Sequence, residues 1–280
     1  MTAVTWQIIV VVLAAGFVHA LWNAIAKSFH DQWVSFTLLN LGIAVVCAIA
    51  TPLIGLPRTA AWGYLGVSVV CHLGYEIFLM SAYRHGSLSV SYPMARGVAP
   101  ALTTFGGAVI AREHLGTSEL GGVALVVVGI VSLALLGRES TSRSAVLWAL
   151  ITGVAIAIYT VVDGLGVRAS HAPLRYTCTL FVIQGTLFVA GAFAQRRRGW
   201  WPSRRRVALG VGGGVLSLVG YGAVLYAQVR APLGVVSALR ETGVVWAALL
   251  GIVWFKEAGS RWLVVAVALV VGGITCIAVG

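Results

Sequence analysis

The sequence predicts an all-α polytopic membrane protein, with ten transmembrane helices built as two inverted five-helix repeats. Three observations carry that expectation. The 280 residues are 59% hydrophobic and 10% charged, with mean hydropathy +0.96, well beyond what a soluble core requires. A hydrocarbon core about 30 Å thick is crossed by roughly 20 apolar residues of helix, and ten stretches of that kind follow one another with short gaps. The second half of the chain also repeats the first.

The spans are read in order as 4–27, 33–54, 60–83, 88–111, 118–137, 144–164, 175–195, 206–229, 233–255 and 260–280. The first lacks a basic leading region and an Ala-x-Ala cleavage site, so it reads as a retained helix rather than a signal peptide. Charges and helix breakers punctuate the gaps: His30 and Asp31, Pro57 and Arg58, Arg84 and Gly86, Arg112 and Gly116, Arg138 and Arg143. RRRGWWPSRRR (196–206) separates the seventh span from the eighth, and no gap has room for a soluble domain. The organisation expected is a first repeat over 1–142 and a second over 143–280, acting as one unit.

Cys47, Cys71, Cys178 and Cys276 all fall inside spans at unrelated spacings, so neither a disulfide framework nor a metal site is expected, and no cofactor. The formal net charge of +11 comes from arginines in short loops. Anionic lipid headgroups are the expected partner of the 196–206 segment, with Trp200 and Trp201 as interfacial anchors, and nucleic acid is not.

The repeat is the strongest signal. VALVVVGI (123–130) recurs as VALVVGGI (267–274), a displacement of 144, and Glu113 meets Glu257 at the same displacement. Tyr75, Leu79, Arg84, Val90, Ser91 and Gly97 meet Tyr221, Leu225, Arg230, Val236, Ser237 and Gly243 at a displacement of 146. Five helices per half is an odd number, so the second half enters the membrane inverted. Inverted repeats suit alternating access, because one unit in two conformations generates outward-open and inward-open states around a midplane site.

Trp22-Asn23 in the first span, YPMARGVAPALTTFGGAVIAREHL (92–115), the glycine-rich fifth span and RETGVVWAALLGIVWFKEAGSRW in the second half together resemble the EamA type of the drug/metabolite transporter superfamily. The resemblance covers essentially the whole chain. It implies an EamA-like fold and a secondary transporter in the plasma (inner) membrane, and it leaves the substrate open. It also implies cytoplasmic termini. The lysines and arginines argue the reverse, twelve lying in loops after odd-numbered spans and five after even-numbered ones.

Charged side chains inside hydrocarbon are costly, so each should face a partner or a wet cavity. The candidates are Glu76, Arg96, Asp163, Arg240 and Glu241. At about 1.5 Å of rise per residue, Glu76 and Arg96 lie roughly 10 and 12 Å inside from their shared loop, and Glu241 about 12 Å from the opposite face. An ion pair between Glu76 and Arg96 is therefore expected, with Glu241 within reach of the same cavity. His72 and Glu76, and His19 and Asn23, share helix faces at i, i+4 spacing.

The cavity wall expected is His19, Trp22, Asn23, His72, Tyr75, Glu76, Tyr92, Arg96, Tyr159, Tyr221, Gln228, Arg240 and Glu241, with Glu76 and Glu241 as proton-coupling carboxylates. Pro93, Gly97 and Pro100 are expected to interrupt the fourth span, and Gly243 to loosen the ninth, as hinges. The Gly106-Gly107, Gly121-Gly122 and 212–214 glycines are expected to permit close helix contact.

The function expected is proton-coupled export of a small metabolite, an amino acid or an amphipathic drug-like compound, by a monomer or homodimer. The rival readings are a membrane-embedded enzyme on a lipid-linked substrate and a channel. An enzyme would need paired acids, an activated nucleophile or a metal cluster. The six histidines form no ligand-spaced set, so the chain is not expected to be an enzyme.

Overall fold

The computed structural model of the protein describes residues 5–85, 88–136, 143–195, 202–255 and 261–279. These form eleven α-helices and one short 3-10 turn, with no strand among the described residues. The helices are α1 (Trp6–Lys27), α2 (Gln32–Ile54), α3 (Trp62–His85), α4 (Leu88–Val109), α5 (Thr117–Leu136) and α6 (Arg143–Ser170). They continue as α7 (Pro173–Gln195), α8 (Arg204–Gln228), α9 (Leu233–Glu241), α10 (Gly243–Phe255) and α11 (Arg261–Val279).

Six helices, α1, α2, α3, α6, α7 and α8, are long and apolar enough to cross a membrane on length and composition. Their outward faces carry the apolar surface that lipid requires. Val45, Ile49 and Leu53 on α2, and Leu147, Leu150, Val154 and Ile158 on α6, are exposed at helical spacing. The protein is a membrane-embedded, multi-pass helical bundle.

Local chemistry sets several boundaries. The Asp31 carboxylate accepts from the Trp33 and Val34 N–H groups and caps α2. Gly55, at φ 84°, closes the same helix with its N–H on the Thr51 carbonyl. Glu113, in the connection after α4, accepts from the Leu233 N–H at 2.8 Å and so holds the first turn of α9. Arg168 at the end of α6 ties the same corner together, pairing with Glu113 and donating to the Gln228 and Ala231 carbonyls.

Two hinge expectations change place. The fourth span is one helix, Leu88–Val109, and does not break at Gly97 or Pro100; the side chains of Tyr92 and Pro93 lie outside the described residues. The ninth span breaks into α9 and α10 at Thr242, whose hydroxyl turns back onto the Leu239 carbonyl at 2.7 Å. The next residue explains the position. Gly243 packs so closely on α1 that a Cβ there would lie 2.7 Å from the Gly16 carbonyl oxygen, so glycine is required for the approach.

Neighbouring helices obey a pattern. α1 packs on α8 and α3 on α6; α2 packs on α8 and α3 on α7; α4 packs on α6, and α1 on α9 and α10. Among further pairs, α2 packs on α7, α5 on α11 and α4 on α9. Exchanging the first five spans with the last five leaves this list unchanged.

Glycines permit the tightest of these contacts, as expected for small residues between membrane helices. Gly213 and Gly214 meet Leu39 on α2, Gly106 meets Val161, Gly107 meets the Glu113 carboxylate, and Gly122 meets Gly273. Gly121 and Gly212 face open space.

Candidate functional site

The charged residues of the bundle gather in three buried clusters. In the first, Glu241 at the end of α9 accepts from Arg96 of α4, with the Arg96 Nη1 at 3.1 and 3.3 Å from its two oxygens. The neighbouring Arg240 folds its guanidinium onto the same carboxylate, Nε at 3.0 Å and Nη2 at 2.8 Å from Oε1. All three side chains are 2% exposed or less. Ions cut off from water to this degree depend on one another, since removing one strands the rest.

His19 of α1 completes this cluster. Trp22 Nε1 donates to His19 Nδ1 at 3.1 Å, while Nε2 lies against the Arg96 guanidinium. Tryptophan and arginine are donors only, and a neutral imidazole has one lone pair to offer. A neutral His19 ring therefore accepts from one of these two neighbours at a time. Asn23, one turn along α1, donates to the His19 carbonyl, and its own side-chain oxygen is buried with no partner among the described residues.

The second cluster surrounds Asp163 of α6. Tyr176 of α7 donates to one carboxylate oxygen at 2.8 Å and Tyr221 of α8 to the other. His72 Nε2 lies 3.8 Å from Asp163, and its ring stacks on Tyr159 with centroids 4.2 Å apart. Tyr75, Tyr221 and Phe181 present their rings edgewise to His72. Tyr159 joins the two clusters, because it lies within electrostatic reach of Arg240, Arg96, Glu241 and Asp163 together.

The third cluster overturns an expectation. Glu76 does not pair with Arg96: its oxygens accept from Asn40 of α2 at 3.0 and 3.2 Å, and Gln184 of α7 donates in turn to Asn40 at 2.9 Å. Counting residues from a loop fixes depth along a helix and leaves open which neighbour the side chain faces. Glu76 and Arg96 share a level and point to different partners.

Ten of the expected wall residues thus enter clusters: His19, Trp22, Arg96, Arg240 and Glu241 in the first, His72, Tyr75, Tyr159 and Tyr221 in the second, and Glu76 in the third. Asn23 borders the first. Gln228 is fully buried at the end of α8, with both side-chain polar atoms unpartnered among the described residues. Tyr92 lies outside the described side chains, as do Trp200, Trp201 and Glu257.

Sequence reasoning missed Asn40, Gln184, Tyr176 and Phe181. Asn40 and Gln184 are single amides within apolar spans, and no motif in the sequence singles them out.

Comparison with known proteins adds the following. Residues 143–279 match the EamA-like transporter family. A solved structure titled only as a crystal structure of a protein superposes with a TM-score of 0.79 at 18% identity, covering 98% of this chain and 97% of that one. At that identity the likeness speaks for the fold alone. No curated protein matches the chain.

Proposed function

This chain is an EamA-type member of the drug/metabolite transporter superfamily, and from that premise we propose that it is a secondary active transporter exporting a small metabolite by alternating access. The observation that carries the reading is the Glu241 carboxylate held between Arg96 and Arg240 in the middle of an apolar bundle, with one guanidinium from each half of the chain. A bilayer-depth ionic group of this kind is expensive and marks a pathway. A carboxylate-bearing substrate, an amino acid or an amphipathic compound, competes with Glu241 for the two guanidiniums.

The inverted repeat supports this reading. Gly122 on α5 faces Gly273 on α11, and seven residues on, Gly129 faces Ala266. In the alignment at 144, Gly122 corresponds to Ala266 and Gly129 to Gly273, so exchanging the halves turns each contact into the other. The partners run in opposite directions along their helices, as an axis in the membrane plane requires. α9 and α10 meet at Thr242 beside Glu241, and this junction is the element proposed to move when the ions exchange partners.

Glu76 and Glu241 are the carboxyls proposed to carry coupling protons, Glu241 by leaving its guanidiniums when substrate arrives and Glu76 through its amide partners. The protein is placed in the plasma (inner) membrane, where anionic headgroups meet the arginines of 196–206.

Counterflow into proteoliposomes against a panel of amino acids and amphipathic amines tests the reading. Saturable exchange of at least one compound is expected, falling tenfold or more in Arg96→Ala and Glu241→Gln. Exchange that persists unchanged in both variants, or flux that never saturates, overturns it.

A further inference from the structure

Asp163 is a buried carboxyl that the proposed exchange at Glu241 leaves unused. It is fully buried, and phenols occupy both its oxygens, Tyr176 on one and Tyr221 on the other. Among the described residues, the side chain at ion-pair distance that can take a positive charge is His72, with Nε2 3.8 Å from Oδ2. The His72 imidazole is boxed by rings: Tyr159 stacks on its face at 4.2 Å, and Tyr75, Phe181 and Tyr221 close the sides at 6.5, 5.9 and 5.5 Å between centroids. At its far side, Nδ1 is tied to the Ser68 carbonyl at 3.0 Å.

A carboxylate at the floor of a box of electron-rich rings is the arrangement that recognises an organic cation. The Tyr159 face attracts positive charge, and the carboxylate supplies the counter-charge without water. Here the imidazole of His72 fills the box, a planar nitrogen base where a ligand's cationic end would fit. A purely architectural carboxyl tying α6 to α7 and α8 would need the two phenols and would gain nothing from the Tyr159 face stacked on a third group.

We propose that Asp163, with Tyr159 and Tyr221, forms an ammonium-binding subsite, and that His72 is the resident side chain which a protonated organic amine displaces. The inference rests on the transporter reading, since it makes this box one end of the substrate chamber. Tyr159 stacks on His72 and is within electrostatic reach of Arg96, Arg240 and Glu241, so a ligand long enough to span both clusters presents its ammonium to Asp163 and its acidic end to the guanidiniums.

The test is equilibrium binding to the purified full-length protein in detergent, followed by tryptophan fluorescence, with phenethylamine and its neutral isostere 2-phenylethanol as probes. Phenethylamine is expected to bind at least tenfold more tightly than the alcohol. Asp163→Asn removes that preference while the alcohol's affinity is kept, because asparagine retains an acceptor for a phenol. His72→Ala empties the box and strengthens amine binding threefold or more.

Equal binding of the two probes to the wild-type protein overturns the proposal, and so does a preference that survives Asp163→Asn. Should Asp163→Asn fail to fold, the wild-type preference and the His72→Ala gain decide the matter, and loss of either overturns it. Failure of the transporter reading has a separate signature: amine binding that depends on Asp163 with no saturable counterflow of any compound.

Discussion

Gly122 of α5 and Gly273 of α11 meet backbone to backbone, so that a Cβ on either would stand 2.6 Å from the other's carbonyl oxygen. No side chain can yield at that contact, because the obstacle on each side is main chain.

Gly122→Val is therefore expected to lower stability by about 1–3 kcal/mol, the usual cost of overpacking a closed interface. Gly121→Ala provides the control. It faces open space, and alanine there gains up to about 1 kcal/mol of helix propensity. Unfolding in mixed micelles checks the pair, and equal responses would show that α5 and α11 do not meet in this register.

Glu241→Gln is expected to cost about 3–5 kcal/mol because it strands two buried guanidiniums, and Arg96→Ala to cost less, since Arg240 keeps its hold on the carboxylate. In the double variant the losses should fall short of their sum by more than the roughly 0.3–0.5 kcal/mol that independent sites show. Additive losses would mean that the two side chains do not share an ion pair.

Glu76 should behave differently, since the side chains around it are amides rather than cations. Glu76→Gln keeps an acceptor for Asn40 and is expected to stay within about 1 kcal/mol of the wild type. Asn40→Leu leaves Glu76 and Gln184 without their common partner and should cost about 1–3 kcal/mol for each group so exposed. The same unfolding measurement separates them, and a Glu76→Gln loss as large as that of Glu241→Gln would contradict the assignment.

Cys47 of α2 and Cys178 of α7 place their thiols within hydrogen-bonding reach, both buried where the two halves meet. In a Cys71→Ser, Cys276→Ser background, copper phenanthroline should take two electrons from this pair and join it as a disulfide. The readout is loss of both maleimide-PEG adducts on the denatured chain and their return after reduction. Two adducts surviving oxidation would place α2 and α7 further apart.

These tests probe what could and could not be read from the residues. Length and apolarity suffice to place helices such as α2 and α7, because hydrocarbon admits little else. The turn at Thr242 follows Arg240 and Glu241 with no proline to announce it, and it stands beside the approach of Gly243 to Gly16 on a helix more than two hundred residues earlier. The ion pairs failed for a similar reason: Glu76 and Arg96 were matched by depth, and the direction each faces depends on how α2 and α9 pack around them. Asn40 was hidden because one amide in an apolar span carries no motif, and its partner Gln184 carries none either.

The central claim is that both membrane faces reach one chamber in turn, and Tyr159, between the Asp163 and Glu241 clusters, is the position that reports it most directly. A cysteine-free protein with Cys47, Cys71, Cys178 and Cys276 replaced by alanine, carrying Tyr159→Cys, is to be labelled in proteoliposomes with a membrane-impermeant maleimide from one side at a time. Labelling from each side, with ligand shifting the balance between the two rates, is the result expected. Labelling from a single side under every condition would contradict it.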